Sequence, residues 1–265
     1  MKRFISAGIV VVASGLFSLA GQAPPPKQGG QAAQGPAPKS QGEAQALMAL
    51  QQAQSQGNPD AVIKAAEDLV TKYADTQFKE IALFMEAMSY EQKGDLDKAM
   101  IYGEKVLEVN PKNFQTTLML GGVLAQRTRE NDLDKEEKLT RADKLLNGTL
   151  ETIKTVPKPN PQLTDQQWDD AKKSISAEAH NGLGLIAMTR KKYDVAMTEF
   201  ETAVKDDPQA TYQVRLASAM QNAGKNAEAI ALVDKIMTDP QLHPQVKAVA
   251  ESIKKSATAA SSQKK

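Results

Sequence analysis

Between residues 43 and 253 apolar side chains recur at spacings of three and four and lack the strict alternation of a strand. This is the period of amphipathic helices, so the chain has to bury its apolar stripes by pairing helices. The segment is also similar to itself. GDLDKAM (94–100) matches KKYDVAM (191–197), and each opens a run that closes on a proline, VLEVNPKN (106–113) and AVKDDPQA (203–210). A helical pattern with internal repetition points to a stacked array of like units.

The repeated positions resemble the tetratricopeptide repeat, a helical hairpin with the pattern W-x2-L-G-x2-Y, A-x3-F-x2-A and a closing proline. Leu83, Ala87 and Tyr90, then Ala99, Gly103, Val106 and Pro111, fit a second unit. A third has Leu120, Gly121 and Leu124, then Ala142, Leu146 and Thr149. A fourth has Leu183, Gly184 and Ala187, then Ala196, Phe200, Ala203 and Pro208. A fifth has Leu216, Ala217 and Met220, then Ala229, Val233, Ile236 and Pro240. Gly57, Val62, Ala66 and Leu69 make a degenerate first unit. The resemblance implies an all-α solenoid of about five helix-turn-helix repeats. Small residues at Ala87, Gly121, Gly184 and Ala217 would let paired helices approach. A single hairpin leaves an apolar face bare, so the units must stack.

Two insertions flank the third unit. RTRENDLDKEEK (127–138) is dense in both charges, and pairs such as Asp134/Lys138 and Glu137/Arg141 suit an exposed helix extension. TVPKPNPQ (155–162) is a stiff proline loop. After it, Thr164 and Gln167 have the spacing of a capping box, with Leu163 and Trp168 placed as a hydrophobic staple. This predicts a helix running past His180 to about Met188, with Trp168 in a structural role.

The ends differ from this body. Residues 1–20 read as a signal peptide: Lys2 and Arg3, an apolar run from Ile9 to Leu19, then Ser18-x-Ala20 before a cut at Gly21. Residues 21–42 are rich in Gln, Ala, Pro and Gly and read as a disordered linker. Residues 254–265 read as a disordered basic tail. This leaves 43–253 as the folded body and predicts a periplasmic or secreted protein, touching a membrane only through a retained signal segment.

Charge and composition narrow the function. The stretch 42–253 holds 25 basic and all 32 acidic residues, a net of −7, which argues against nucleic acid. There is no cysteine, so disulfides and thiolate chemistry are excluded. His180 and His243 are the only histidines and lack metal-ligand spacing. NDLDKEE (131–137) lacks the glycine of a calcium loop. Gly182-x-Gly184 lacks the third glycine of a dinucleotide site. No catalytic residue, metal or cofactor is expected.

The resemblance implies instead a noncatalytic scaffold or adaptor that binds partner peptides or helices in a concave groove. One family subtype clamps a carboxylate with Lys, Asn and Arg, but the matching places here are Ile81, Phe84, Met88, Leu118 and Gly122. The expected groove is therefore apolar: Ile81, Phe84, Met85, Met88, Leu118 and Met119, unless neighbouring helices cover it. The stretch 72–99 is similar to repeats of envelope-assembly and cell-division proteins of Gram-negative bacteria. The alternatives are a self-assembling envelope protein or a hydrolase using scattered carboxylates.

Overall fold

The computed structural model describes residues 36–262, and all regular structure among them is α-helix. Eleven helices follow in order: α1 Gln41–Ser55, α2 Pro59–Lys72, α3 Lys79–Lys93, α4 Leu96–Val109, α5 Phe114–Arg127 and α6 Lys135–Thr155. Then come α7 Asp165–Thr189, α8 Tyr193–Asp206, α9 Ala210–Asn222, α10 Asn226–Ile236 and α11 Pro244–Ser262. The first ten are the five predicted hairpins. The chain divides into two compact units, one of 36–116 with 157–163, the other of 117–156 with 164–262. The expected signal peptide, residues 1–20, and most of the expected linker lie outside the described residues.

In the first unit, Ser40 caps α1 by accepting from the Glu43 amide at 3.1 Å. Asn58 caps α2, accepting from Asp60 and Ala61, with Pro59 at the first helical position where its missing N–H costs nothing. The apolar faces of α1, α2 and α3 meet in a core of Leu47, Leu50, Val62, Leu69, Phe78, Ala82 and Met85. Asn110 and Asn113, in the turn after α4, both donate to Glu80 Oε1 at 2.8 Å and fix that turn to α3.

The linker expectation fails at its end. Glu43 is buried and accepts the Thr76 hydroxyl at 2.5 Å and the Lys39 amide at 2.5 Å, while Lys39 Nζ pairs with Asp75 at 2.7 Å. Residues 39–42 therefore belong to the fold, because a buried carboxylate needs those donors.

In the second unit, α7 starts as predicted. Thr164 Oγ1 accepts the Gln167 amide at 3.1 Å, and Gln167 Oε1 accepts the Thr164 amide at 2.8 Å. The helix runs to Thr189, and Trp168 is buried. The first insertion is only partly helical. Helix α5 stops at Arg127, residues 128–134 form a turn, and α6 begins at Lys135 with Asp134 and Lys138 paired at 2.8 Å.

The tail expectation is overturned. Helix α11 continues to Ser262, and Val246, Ala250 and Ile253 close a core with Val214, Ala217, Val233 and Ile236. It covers the face that the fifth hairpin would leave bare, as a terminal cap must. Lys254, read as tail, pairs with Asp234 at 2.5 Å.

Three hairpin turns share one geometry. Gly94 and Gly224 have φ of 80°, and Lys191, aligned with Gly94 in the repeat, has φ of 59°. Each following amide bonds back across the helix end: Asp95 to Tyr90 O, Lys192 to Ala187 O and Lys225 to Met220 O, at 2.8–2.9 Å. This left-handed cap favours glycine, and lysine is strained there. Lys191→Gly should raise the melting midpoint by about 1–3 °C. A lowered midpoint in a thermal melt would contradict this.

The glycines of the first helices do as their spacing suggests. A Cβ on Gly121 would lie 2.7 Å from Leu146 Cγ, and one on Gly182 would lie 2.7 Å from Leu146 Cδ1. Leu146 of α6 is thus seated between α5 and α7, and Gly182 gains a packing reason that its failed nucleotide motif concealed. Gly122 has nothing within 4 Å of such an atom. Gly122→Ala should stabilise by about 0.5–1 kcal/mol, through helix propensity alone. Gly121→Ala, one residue away, should destabilise. Equal effects in urea melts would refute the register.

Candidate functional site

The predicted groove does not exist as an open surface. Phe84 is 7% exposed and packs with Leu83 and Val106, while Met88 lies half-buried against them. Met85, 5% exposed, belongs to the core shared with α1 and α2, and Ile81 packs on its edge. Leu118 and Met119 of α5 are 2% and 6% exposed. Phe84, Met85, Leu118 and Met119 are core, and Ile81 and Met88 are partly buried against it. Two adjacent residues, Phe84 and Met85, face different clusters, so the apolar run serves both neighbours of α3.

Polar groups gather elsewhere, on the first helices of the fourth and fifth hairpins. Asn181 of α7 is buried, and Arg215 Nη1 of α9 donates to its Oδ1. Arg215 is half-buried, and burial pulls its guanidinium below the ordinary arginine range against the pull of Tyr212 and Glu178. Burial likewise pushes the Tyr212 phenol up, with Glu178 and Asp207 adding to the shift. Glu178 and Asn181 lie three apart on α7, and Arg215 and Ser218 three apart on α9, so each pair shares a helix face. The α7 stripe continues through Leu185 and Met188, both partly buried. The result is a mixed face: a cation in a low-dielectric setting, an amide, a carboxylate and two adaptable apolar side chains.

This site was missed in the sequence. Its signal was a polar residue just outside the small-residue packing position: Asn181 stands three before Gly184, and Arg215 two before Ala217. Comparison with the second and third units alone could not find it.

The histidines behave as packing and capping residues. His180 Nδ1 lies 2.7 Å from Glu199 Oε2, and this half-buried pair ties α7 to α8. His243 Nδ1 accepts the Gln245 amide at 3.3 Å at the start of α11. Among the described residues no group of three His, Asp or Glu side chains could hold a metal ion. None of the described helices is long and apolar enough to cross a membrane.

A second buried acid, unlike Glu43, lacks a full set of donors. Glu86 of α3 sits inside the apolar run ALFMEAMSY (82–90) and is 1% exposed. Its Oε1 has no hydrogen-bond partner.

Comparisons with known proteins agree with the geometry. A tetratricopeptide repeat model matches residues 81–113, and a second tetratricopeptide repeat model matches 166–211 and 181–241. Both matches fall on hairpins described above. No curated protein matches the chain. Among solved structures, a thermophilic TPR protein of Thermus thermophilus is similar with a TM-score of 0.51 at 17% identity. The match covers 80% of this chain and 98% of that one. A MamA RS-1 double mutant is similar with a TM-score of 0.56 at 16% identity, covering 75% and 94%. At such identities the likeness concerns the fold alone.

Proposed function

We propose, for a chain that belongs to the tetratricopeptide repeat family, a noncatalytic role as a protein-interaction scaffold or adaptor in a bacterial cell envelope. Repeats of this family generally mediate protein–protein contacts. The observation that carries the reading is the α7/α9 face, where a half-buried Arg215 donates to Asn181 and the α7 stripe runs on from Asn181 to the partly buried Leu185 and Met188. A guanidinium in such surroundings holds an acidic group more strongly than one in open water. Met188, further along the same α7 stripe, adapts to apolar side chains of the same ligand. The partner is thus an extended or helical segment that presents an acidic residue next to an apolar one. The proposal of export, and with it a site of action beyond the inner membrane, rests on the charged and apolar pattern of residues 1–20.

The test is selection from a displayed peptide library on the purified protein. Enriched peptides should combine acidic and apolar residues. Arg215→Ala should weaken them about tenfold or more, as expected for a lost charge-assisted contact, with helicity unchanged. Peptides that bind Arg215→Ala as well as the wild type would place the contact surface elsewhere.

A further inference from the structure

Glu86 has no role in the partner-binding face, lying in the other unit, and its surroundings call for an explanation of their own. A carboxylate sealed from water with an oxygen lacking a partner is costly, and a neutral carboxylic acid avoids most of that cost. The Tyr102 hydroxyl of α4 lies toward the Glu86 carboxyl and favours its charged form. The exposed Glu67 carboxyl of α2 adds like charge that favours the neutral form of Glu86. Tyr90, one turn further along α3, stacks on Tyr102 with ring centroids 5.3 Å apart.

The cations nearby are engaged with rings or other acids. Lys98 lies over the Tyr90 ring at 5.0 Å, and Lys105 over the Tyr102 ring at 4.0 Å. Lys93 pairs with Asp60. Asp95, at the start of α4, adds a further negative charge toward Tyr90. Thus α2 brings Glu67, and α4 with its cap brings Tyr102, Lys105, Lys98 and Asp95. Among these cations it is Lys105 that opposes protonation of Glu86 from close by.

We propose that Glu86, Glu67 and Tyr102 form a proton-operated latch between the first and second hairpins, closed when Glu86 carries a proton and loosened when it loses it. In the closed state α2, α3 and α4 pack around a neutral carboxyl and the Tyr90–Tyr102 stack. Ionisation places a charge in the water-poor site of Glu86, with the exposed Glu67 carboxylate adding like charge from α2. Glu86 must then draw in water or turn outward, which disturbs the stack beside it.

Burial, aided by the Glu67 charge, pushes Glu86 up from 4.5 to about 7, against the Tyr102 hydroxyl and Lys105. The folded chain therefore holds a proton that the unfolded chain releases near 4.5. The stabilisation is fully present below that pH and is lost as pH rises through about 7. Between pH 5.5 and 8 the folding equilibrium constant should fall on the order of tenfold.

The experiment uses the full chain. Urea midpoints at pH 5.5 and 8.0 are measured for wild type and Glu86→Gln, with tyrosine near-ultraviolet circular dichroism as the local readout. Carboxyl NMR follows the titration of Glu86 in the folded protein. The wild-type midpoint should fall toward pH 8 together with the tyrosine signal, Glu86→Gln should remove most of that fall, and the Glu86 carboxyl should titrate near 7. Glu67→Gln should lower that titration midpoint. A wild type with no fall, an undiminished fall in Glu86→Gln, or a Glu86 carboxyl titrating below 5 would overturn the latch. Should Glu86→Gln fail to fold, the wild-type carboxyl titration decides alone.

Discussion

Gly184→Leu should destabilise the second unit by about 3 kcal/mol or more, at the upper end of overpacking effects. A Cβ at this position would lie 2.5 Å from Phe200 Cε1 and 2.7 Å from Cδ1. Phe200 is fully buried, so its ring cannot swing into solvent. The clash must separate α7 from α8 or unseat Phe200, whose cluster includes Leu216 and Ala219 of α9. Damage should pass to the fifth hairpin, since each repeat is held mainly by its neighbours. Hydrogen exchange should show lost protection in α9 as well as in α7 and α8. Loss confined to α8, or an unchanged urea midpoint, would contradict the packing described.

Met85→Glu should cost about 3–5 kcal/mol, the range for a buried charge left without a partner. Its side chain lies among Leu47, Leu50, Leu69 and Ala82, apolar neighbours that offer a carboxylate neither a donor nor a counter-charge. Circular dichroism should show loss of helix at neutral pH and partial recovery on acidification, as the new carboxyl is neutralised. A variant as stable as the wild type would restore the open apolar groove, because only an exposed Met85 tolerates the charge.

The elements that were legible from sequence are those fixed by local chemistry. The Thr164–Gln167 capping box needs only four residues, and it formed as read. The glycines 121 and 184 mark close helix approach within one hairpin, which the repeat spacing alone specifies. What failed depended on neighbours. Whether Phe84, Met85 and Met88 face solvent is decided by α1, α2 and α4, and a stripe on one helix carries no record of what covers it. The end of the fold was misjudged for a related reason. KKSATAASSQKK is weakly apolar, but Ala257 is fully buried, so an alanine on one side suffices for a capping helix. Glu86 was visible as a lone charge in an apolar run, but its meaning needs Glu67 and Tyr102, which stand 19 residues before and 16 after it.

The central claim is that the α7/α9 face binds protein partners. A photocrosslinking residue at Ser218, on the Arg215 side of α9, tests it in intact cells that make the protein naturally. The control is the same residue at Ala227 of α10, an exposed position with no tie to that face. The account predicts discrete crosslinked adducts from Ser218, their loss when Arg215→Ala is added, and none from Ala227. Equal adducts from both positions, or adducts from Ser218 that survive Arg215→Ala, would contradict it.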